Sequence, residues 1–384
     1  MINRRGLLFA VGSASICSPL KILGADPSRL LTHGLVPHNA EPRLNDLVRS
    51  WITPNDLFYV RSHAPVPEID SGSFELSVEG LVNRPFKIRL GGLKKSFTKK
   101  VATATLTCAG NRRIEHSRVK KVGGVPWQAG AIGNAKWGGC CLSDLLRKAE
   151  VMTEAKYVSF ESVDQIKRPT GVIPFGASIP IEKAMDNSTS MPGALVVYEM
   201  NGQPLPADHG FPIRTVVPGY IGARSVKWLG KIIVSDKPSA NHYVATAYKL
   251  VTESTADQWA TASPIQRFVV NSVTCLPASG VELKIGPLDV SGYALPPGDP
   301  SRTIQMVEVS SDGGGSWVKA KFTSPARPFC WRLWKTTVQL TRQTEALLVR
   351  ATDSVGQRQP ESVDWNLKGY LFNAWHRTPI TIRS

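Results

Sequence analysis

The last third of the chain, from about residue 262, carries the pattern that most constrains the fold. Short stretches of β-type composition recur there at close spacing, and helical periodicity is scarce. They lie at residues 281–285, 303–309, 331–334 and 347–351, and turn-forming segments such as 312–315 separate them. Many short strands joined by turns are typical of a β-sandwich. We therefore expect residues 262–384 to form one.

Residues 42–236 combine strand and helix patterns. Alternating or continuous apolar stretches predict strands at residues 74–80, 194–200 and 226–234, and Asn201-Gly202 is a hairpin turn signal. Such a mixture predicts an α+β domain.

A helix is predicted at residues 142–149, and Ser143 or Asp144 is expected to cap it. Residues 237–261 then form a linker that carries Tyr248. Two domains and a linker suit a chain of 384 residues.

The chain is basic, with 46 Lys and Arg against 30 Asp and Glu and a net charge of +16. Nucleic-acid binding normally needs these charges in a patch or stripe, whereas here they are spread along the chain. The densest run is Lys94, Lys95, Lys99 and Lys100, which we expect in a surface loop. Because the charges form no patch, we expect no nucleic-acid partner. A spread positive field instead suits the steering of a small anionic substrate.

Six cysteines occur, and their spacing argues against a structural zinc site or a disulfide framework. No Cys-x-x-Cys pair is present, although zinc sites use such spacings. Cys140 and Cys141 are adjacent, which is a poor geometry for a simple disulfide. We expect one of the six cysteines to serve chemistry and the rest to serve packing; besides Cys140 and Cys141 they are Cys17, Cys108, Cys275 and Cys330.

Residues 1–25 have the features of an export signal. Arg4 and Arg5 precede a short apolar run, and Leu23-Gly24-Ala25 has the small residues of a cleavage site. The run is too short to span a bilayer, so we expect no stable membrane insertion. The arginine pair favours the twin-arginine route and a periplasmic location. An ordinary Sec signal is the alternative, and Cys17 lies in a poor context for a lipoprotein signal.

Residues 105–113 carry the clearest chemical motif. Cys108 follows a β-type run, and Ala-Gly-Asn and then Arg112 and Arg113 come after it. A thiolate flanked by guanidinium groups can ligate a soft metal. The alternative is a buried structural cysteine beside a charged loop.

Residues 108–113 look like the molybdenum-ligating segment that sulfite oxidases share with assimilatory nitrate reductases, and further segments resemble sulfite oxidases in the family's order. These segments are 58–63, 127, 130–139, 208–214, 217–219, 222–230, 311–314, 331–334, 365–369 and 373–377. The resemblance covers residues 42–380. It implies an α+β molybdopterin-binding domain with the sulfite oxidase fold, followed by an immunoglobulin-like β-sandwich dimerisation domain, and hence a homodimer.

The resemblance also implies a molybdenum–molybdopterin cofactor with Cys108 as the protein ligand of the metal. The cofactor carries a phosphate, which fixed cations and backbone N–H groups can hold. The residues that would bind the cofactor are Tyr59, Arg61, His63, Asp164, His209, Arg214, Ser225, Val226 and Lys227. Ser225 and Val226 would act through their backbone N–H groups.

The substrate pocket implied by the resemblance holds Arg61, Arg113, Trp127, Tyr248 and Lys368. Their positive charge suits the burial of the sulfite anion, and the Tyr248 hydroxyl would relay a proton. Lys368 departs from the family, because the vertebrate enzymes carry arginine there. A lysine keeps the charge and loses the bidentate fork.

The expected reaction is the oxidation of sulfite to sulfate. The sequence contains neither a His-Pro-Gly-Gly nor a Cys-x-x-Cys-His haem motif. We therefore expect no haem in this chain and an external electron acceptor such as a c-type cytochrome.

Two other functions stay open at this point. One is another oxotransferase of the same cofactor class, which would reduce nitrate or a sulfoxide. The other is a non-catalytic anion-binding protein, for which the loss of Cys108 or Tyr248 would have been the signature.

Overall fold

The computed structural model of the chain describes residues 29–383 apart from residues 189, 190 and 192. The predicted export signal lies outside the described residues. The helices in the described part are α1 (Leu44–Leu47), α2 (Leu90–Ser96), α3 (Arg113–Val119), α4 (Leu142–Ala149), α5 (Ile181–Met185), α6 (His242–Ala245) and α7 (Ala256–Thr261). Short 3-10 turns form at Asn55–Leu57, Ala207–His209 and Gly222–Arg224. No helix among the described residues is long and apolar enough to cross a membrane.

Fifteen strands of the described chain build the first domain. They are β1 (Leu30–Leu35), β2 (His38–Pro42), β3 (Val60–Arg61), β4 (Glu75–Gly80), β5 (Phe86–Arg89), β6 (Lys100–Thr107), β7 (Ile132–Cys141), β8 (Tyr157–Ser162), β9 (Ile166–Arg168), β10 (Gly171–Ile173), β11 (Gly176–Pro180), β12 (Leu195–Met200), β13 (Gln203–Pro204), β14 (Arg214–Val216) and β15 (Leu229–Ser235).

Two five-stranded sheets form the body of this domain. One has the order β11-β8-β15-β4-β5, and the other runs β13-β12-β7-β6 with β14 also paired to β12. Buried aliphatic side chains from the two sheets and from α4 share one core, which includes Val78, Leu145, Phe160, Val196 and Ile232. The α+β architecture is therefore confirmed. Strands β1, β2 and β3 form a small separate sheet that becomes important at the site.

The second domain is a β-sandwich, as predicted. Its strands are β16 (Asn271–Leu276), β17 (Glu282–Lys284), β18 (Gly286–Leu295), β19 (Ile304–Ser310), β20 (Val318–Lys319), β21 (Lys321–Phe322), β22 (Arg332–Leu340), β23 (Ala346–Asp353), β24 (His376–Pro379) and β25 (Thr381–Arg383). The four-stranded sheets β16-β18-β22-β21 and β20-β19-β23-β24 enclose a core that includes Val290, Val307, Trp334 and Leu347.

Local predictions failed where the backbone turns. Helix α4 has the predicted bounds, but its cap is Cys141, which makes no side-chain capping bond. The strand expected from residue 226 begins at Leu229, because Trp228 has a positive φ of 51° that a strand cannot contain.

The densest basic run lies only partly in a loop, which holds Lys99. Lys94 and Lys95 belong to helix α2, and Lys100 begins β6. The predicted linker is also more structured than expected, since it contains α6 and α7.

Arg112 joins the two domains. Its side chain is fully buried and forms a two-pronged ion pair with Glu115 at 2.7 and 2.8 Å. The same guanidinium donates to Asn271 Oδ1 at 2.7 Å and to the Ala374 carbonyl at 2.8 Å, both in the second domain. Burial alone would raise the pKa of Glu115, but Arg112 outweighs it and holds that pKa below its usual value.

We predict that Arg112→Met destabilises the protein by about 3–5 kcal/mol, because it leaves the Glu115 carboxylate buried without its partner. The measurement is the change in urea-unfolding midpoint, converted with a shared m-value. Arg147→Met is the matched control, because Arg147 forms the same i,i+3 type of pair with Asp144 in an exposed setting. That pair should contribute less than about 1 kcal/mol. Equal effects of the two substitutions would contradict the role assigned to Arg112.

Candidate functional site

A pocket that opens to solvent and holds about 690 Å³ of empty space is lined by residues of the first domain and by Tyr248. Ten of the predicted site residues line it, and they come from strands and loops far apart in sequence. These residues are Tyr59, Arg61, His63, Cys108, Asp164, His209, Arg214, Ser225, Lys227 and Tyr248.

The loop after strand β6 holds Cys108 against residues 127–131. The Cys108 N–H donates to the Ala131 carbonyl at 2.9 Å, and the Arg112 N–H donates to the Gln128 carbonyl at 2.6 Å. The Gly110 N–H lies 3.4 Å from the Cys108 sulfur, which faces the cavity. Gly110 lets the Arg113 guanidinium pack against the loop, since a Cβ atom there would lie 2.4 Å from it and the arginine would have to move.

At one end of the cavity, two buried cations have neutral hydrogen-bond partners. The Arg214 guanidinium donates to the carbonyls of His209 at 2.9 Å and Ser225 at 3.0 Å. The Lys227 ammonium donates to Ser62 Oγ and to the Asp208 carbonyl, each at 2.8 Å. Neutral acceptors fix both side chains and leave most of their positive charge to attract an anion.

This concentration of charge shifts the titration of the buried groups. Burial and the nearby Arg214 lower the pKa of Lys227 to about 7. Burial and the two cations lower the pKa of His209 to about 3, so its imidazole is neutral. Its Nε2 lies 3.2 Å from the Asn55 carbonyl and donates to it, because a carbonyl can only accept.

Elsewhere in the cavity, Arg61, His63 and Tyr248 form a connected group. Arg61 Nη2 lies 2.7 Å from His63 Nε2, and the Tyr248 hydroxyl lies 3.3 Å from the same nitrogen. Burial and the Arg61 guanidinium hold the pKa of His63 well below its usual value, so its neutral ring accepts at Nε2. Burial raises the pKa of Tyr248, and its hydroxyl therefore keeps its proton near neutral pH.

Tyr59 and Asp164, two further residues predicted to bind the cofactor, also line the cavity. The Tyr59 hydroxyl approaches Gly222 so closely that a Cβ atom there would lie 2.6 Å from it. Asp164 is buried and accepts the Phe175 N–H at 2.7 Å. Burial raises the pKa of Asp164.

Four predicted residues do not line the cavity. Val226 is buried in the core, and its N–H is already taken by Thr215 Oγ1 at 2.7 Å. Ser225 does line the cavity, but its N–H donates to the Gly222 carbonyl at 3.0 Å. Neither N–H is therefore free for a phosphate. Trp127 is fully buried, and its indole N–H has no hydrogen-bond partner within the described chain.

Arg113 and Lys368 do not line this cavity. Tyr370 contacts Arg113 on one side and the cavity residue Tyr248 on the other. Arg113 donates to the Lys368 carbonyl at 2.9 Å and the Val125 carbonyl at 2.8 Å, and its guanidinium lies over the Tyr370 ring. Tyr370 in turn stacks on Tyr248 with ring centres 5.3 Å apart. The Lys368 side chain is exposed and lies near the Trp259 ring.

Sequence reasoning missed Asn39, Glu41 and Tyr370. Glu41 is almost fully buried and accepts the N–H groups of Gln128 and Gly130, both at 2.7 Å. It thereby fixes the segment that holds Cys108. A buried glutamate in a short polar strand gives no periodic signal. Tyr370 lies in a loop, where no periodic pattern marks a buried residue.

The arrangement fits an anionic cofactor that brings a soft metal. A cysteine sulfur faces the cavity, and cations with neutral partners stand along its wall. Within the described residues, no group of three or more His, Cys, Asp or Glu side chains forms a metal site.

Two family models match the chain. The oxidoreductase molybdopterin binding domain covers residues 63–243, and the Mo-co oxidoreductase dimerisation domain covers residues 262–383. Fold and site therefore define a molybdopterin oxidoreductase.

Relatives and solved structures narrow this class. The chain is 42% identical to sulfite oxidase of Gallus gallus over 92% of this chain and 78% of the relative. It is 39% identical to sulfite oxidase of Arabidopsis thaliana over 90% of this chain and 92% of the relative. The crystal structure of the sulfane dehydrogenase SoxCD from Paracoccus pantotrophus covers 97% of this chain and 96% of its own, with a TM-score of 0.77 and 25% identity.

The chain belongs to the sulfite oxidase family. It spans 64% of the length of the mouse and human sulfite oxidases.

The pKa of Lys227 predicts how cofactor binding changes stability with pH. An unfolded lysine has a pKa of about 10.4, so between about pH 7 and 10 the unfolded chain binds more protons than the cofactor-free native state. Stability of the cofactor-free protein therefore falls as pH decreases through this window. A bound phosphate pairs with Lys227 and removes this penalty. The gain in melting temperature on cofactor loading should accordingly grow from pH 9.5 to pH 7.

Lys227→Met should flatten the pH dependence of the cofactor-free protein and weaken cofactor retention. Lys231→Met is the matched control, since Lys231 is half-exposed and pairs with acidic side chains on the sheet. A gain in melting temperature that is constant from pH 7 to 9.5 would contradict the assignment of Lys227.

Proposed function

We propose that this protein oxidises sulfite to sulfate at a molybdenum–molybdopterin centre held in the first domain. The observation that carries the proposal is the cavity itself, which is lined by Cys108 together with Arg61, Arg214 and Lys227. Family membership supports the cofactor class, and the sulfite oxidases of Gallus gallus and Arabidopsis thaliana support the substrate.

The chain's residues divide into two roles toward the cofactor. Cys108 would ligate molybdenum through its sulfur. Arg214, Lys227 and the neutral His209 would hold the phosphate, with Tyr59, His63 and Asp164 along the pterin. When bound, the cofactor supplies the two-electron redox chemistry of the reaction.

Toward the substrate, the cations of the inner site would neutralise the sulfite anion. Arg61 lines the cavity. Arg113, Trp127 and Lys368 would lie farther from the bound sulfite than Arg61 does. The Tyr248 hydroxyl keeps its proton and would donate a hydrogen bond to a reacting oxygen, while the neutral His63 accepts from it in the free site. Electrostatic positioning is therefore the protein's main contribution.

Electrons would leave to a separate acceptor, for which a c-type cytochrome suits an exported protein. The match of residues 262–383 to a dimerisation domain supports a homodimer in solution. The bacterial type of sulfite dehydrogenase is part of the proposal.

The first test is sulfite-dependent reduction of ferricyanide by the purified, molybdenum-loaded protein. Cys108→Ser should lower the rate by more than about 10²-fold, because the metal loses its protein ligand. Cys141→Ser is the matched control: Cys141 is also buried, and serine suits its position as the cap of α4. Molybdenum content is measured in parallel for all three proteins.

Loaded protein without sulfite turnover would refute the substrate assignment. The same sample would then be assayed for nitrate and sulfoxide reduction.

We also propose export by the twin-arginine route. Replacing Arg4 and Arg5 by lysine should retain the protein in the cytoplasm, since the pathway recognises the arginine pair. Cell fractionation and N-terminal sequencing of the periplasmic form measure this outcome, with cleavage expected after Ala25. Unchanged export of the double variant would favour the Sec route.

A further inference from the structure

The hairpin of strands β1 and β2 is tied to three separate parts of the site. His38 Nδ1 lies 3.0 Å from the Asp208 carboxylate, beside the Lys227 contact. Asn39 reaches Arg61, and Glu41 holds the segment that binds the Cys108 loop. None of these three polar side chains is explained by the stability of the hairpin alone.

The orientation of the Asn39 amide is fixed by partners at both of its ends. It is buried with 4% exposure and pairs with Arg61 in the register of β2 and β3. Its Nδ2 donates to the Pro37 carbonyl at 2.9 Å, and a carbonyl can only accept. The amide oxygen must therefore face the site, where it accepts Arg61 Nη1 at 3.1 Å and the Ser62 N–H at 3.2 Å.

Arg61 is consequently held by neutral acceptors alone. Besides Asn39 Oδ1, its guanidinium contacts the Ser62 carbonyl and His63 Nε2. None of the ion pairs among the described residues includes Arg61, whereas Arg112 is neutralised by Glu115. The Arg61 charge thus stays uncompensated at the wall of the cavity that also presents Cys108 and Tyr248.

The choice of amide over carboxylate at position 39 then has an electrostatic reason. An aspartate has nearly the same shape as asparagine and would accept the same two donors, although it would lose the hydrogen bond to the Pro37 carbonyl. Its charge would lie at hydrogen-bond distance from Arg61 and cancel the field that attracts an anion.

We propose that Asn39 is a positioning residue whose neutral amide orients Arg61 for the oxyanion substrate without neutralising it. This inference rests on the proposed function. It concerns substrate affinity rather than the chemical step, because Asn39 reaches the substrate only through Arg61.

The test compares Asn39→Asp and Asn39→Ala with the parent enzyme. Rapid mixing of each oxidised, loaded protein with sulfite, without an electron acceptor, gives the sulfite Kd and the limiting reduction rate per molybdenum. Asn39→Asp should raise the Kd at least about tenfold, which corresponds to about 1.4 kcal/mol, and change the limiting rate less than about threefold. Asn39→Ala keeps the Arg61 charge and should raise the Kd less than Asn39→Asp does.

The order of the two Kd values is read together with the urea-unfolding midpoint of each variant, because both substitutions lose the donor to the Pro37 carbonyl. A structural role predicts Kd values that follow the loss of stability, whereas the proposal predicts a larger Kd for aspartate than for alanine at similar stability. Asn83→Asp is the charge control, because it adds the same carboxylate at an exposed position between β4 and β5. An Asn39→Asp Kd equal to that of Asn83→Asp, or smaller than that of Asn39→Ala, would overturn the inference.

Sulfate binding measured by calorimetry is an independent readout, which does not need turnover. Asn39→Asp should weaken sulfate binding by the same factor as sulfite binding. Failure of the parent enzyme to oxidise sulfite would sink the proposed function, and the sulfate measurement would still decide the role of Asn39. Equal sulfate affinity in the parent and Asn39→Asp proteins would reject that role.

Discussion

The site depends on positive charge that is buried and left uncompensated. Burying a cation without a counter-ion is costly, and the lowered pKa of Lys227 reflects this cost. Carbonyl, hydroxyl and imidazole acceptors hold Arg61, Arg214 and Lys227 in place. Such partners fix the geometry of a cation but do not cancel its charge. An anionic cofactor and an anionic substrate therefore find most of their electrostatic stabilisation already organised.

The frame that keeps these cations in place needs both domains. Backbone N–H groups along the Cys108 loop donate to carbonyls of residues 127–131, and the second domain holds the same loop from the other side. Asn111 Nδ2 donates to the Tyr293 hydroxyl at 3.1 Å, and the Leu371 N–H donates to the Ala109 carbonyl at 2.8 Å. Tyr293 donates in turn to the Ala129 carbonyl at 2.8 Å. The β-sandwich thus helps to position the cysteine as well as carrying the residues matched to a dimerisation domain.

Sequence patterns predicted what depends on local chemistry and missed what depends on distant partners. The two domains, seven of the strands and ten cavity residues followed from periodicity and from motif resemblance. Val226 was wrongly expected to offer a free N–H, because the pattern cannot show that Thr215 already accepts it. Asn39 and Glu41 escaped for a related reason, since their partners lie 22 to 89 residues away along the chain. The positive φ of Trp228 likewise had no signal in an apolar run.

One chain of contacts links the two anion-binding ends of the cavity. The Lys227 ammonium donates to Ser62 Oγ at 2.8 Å, and the Ser62 N–H donates to Asn39 Oδ1 at 3.2 Å. The same Asn39 oxygen holds Arg61 at 3.1 Å. A phosphate that secures Lys227 therefore also restrains Ser62, and through it the amide that orients Arg61. Because these hydrogen bonds are already formed in the protein alone, Ser62 and Asn39 hold Lys227 and Arg61 in one connected frame before any anion binds.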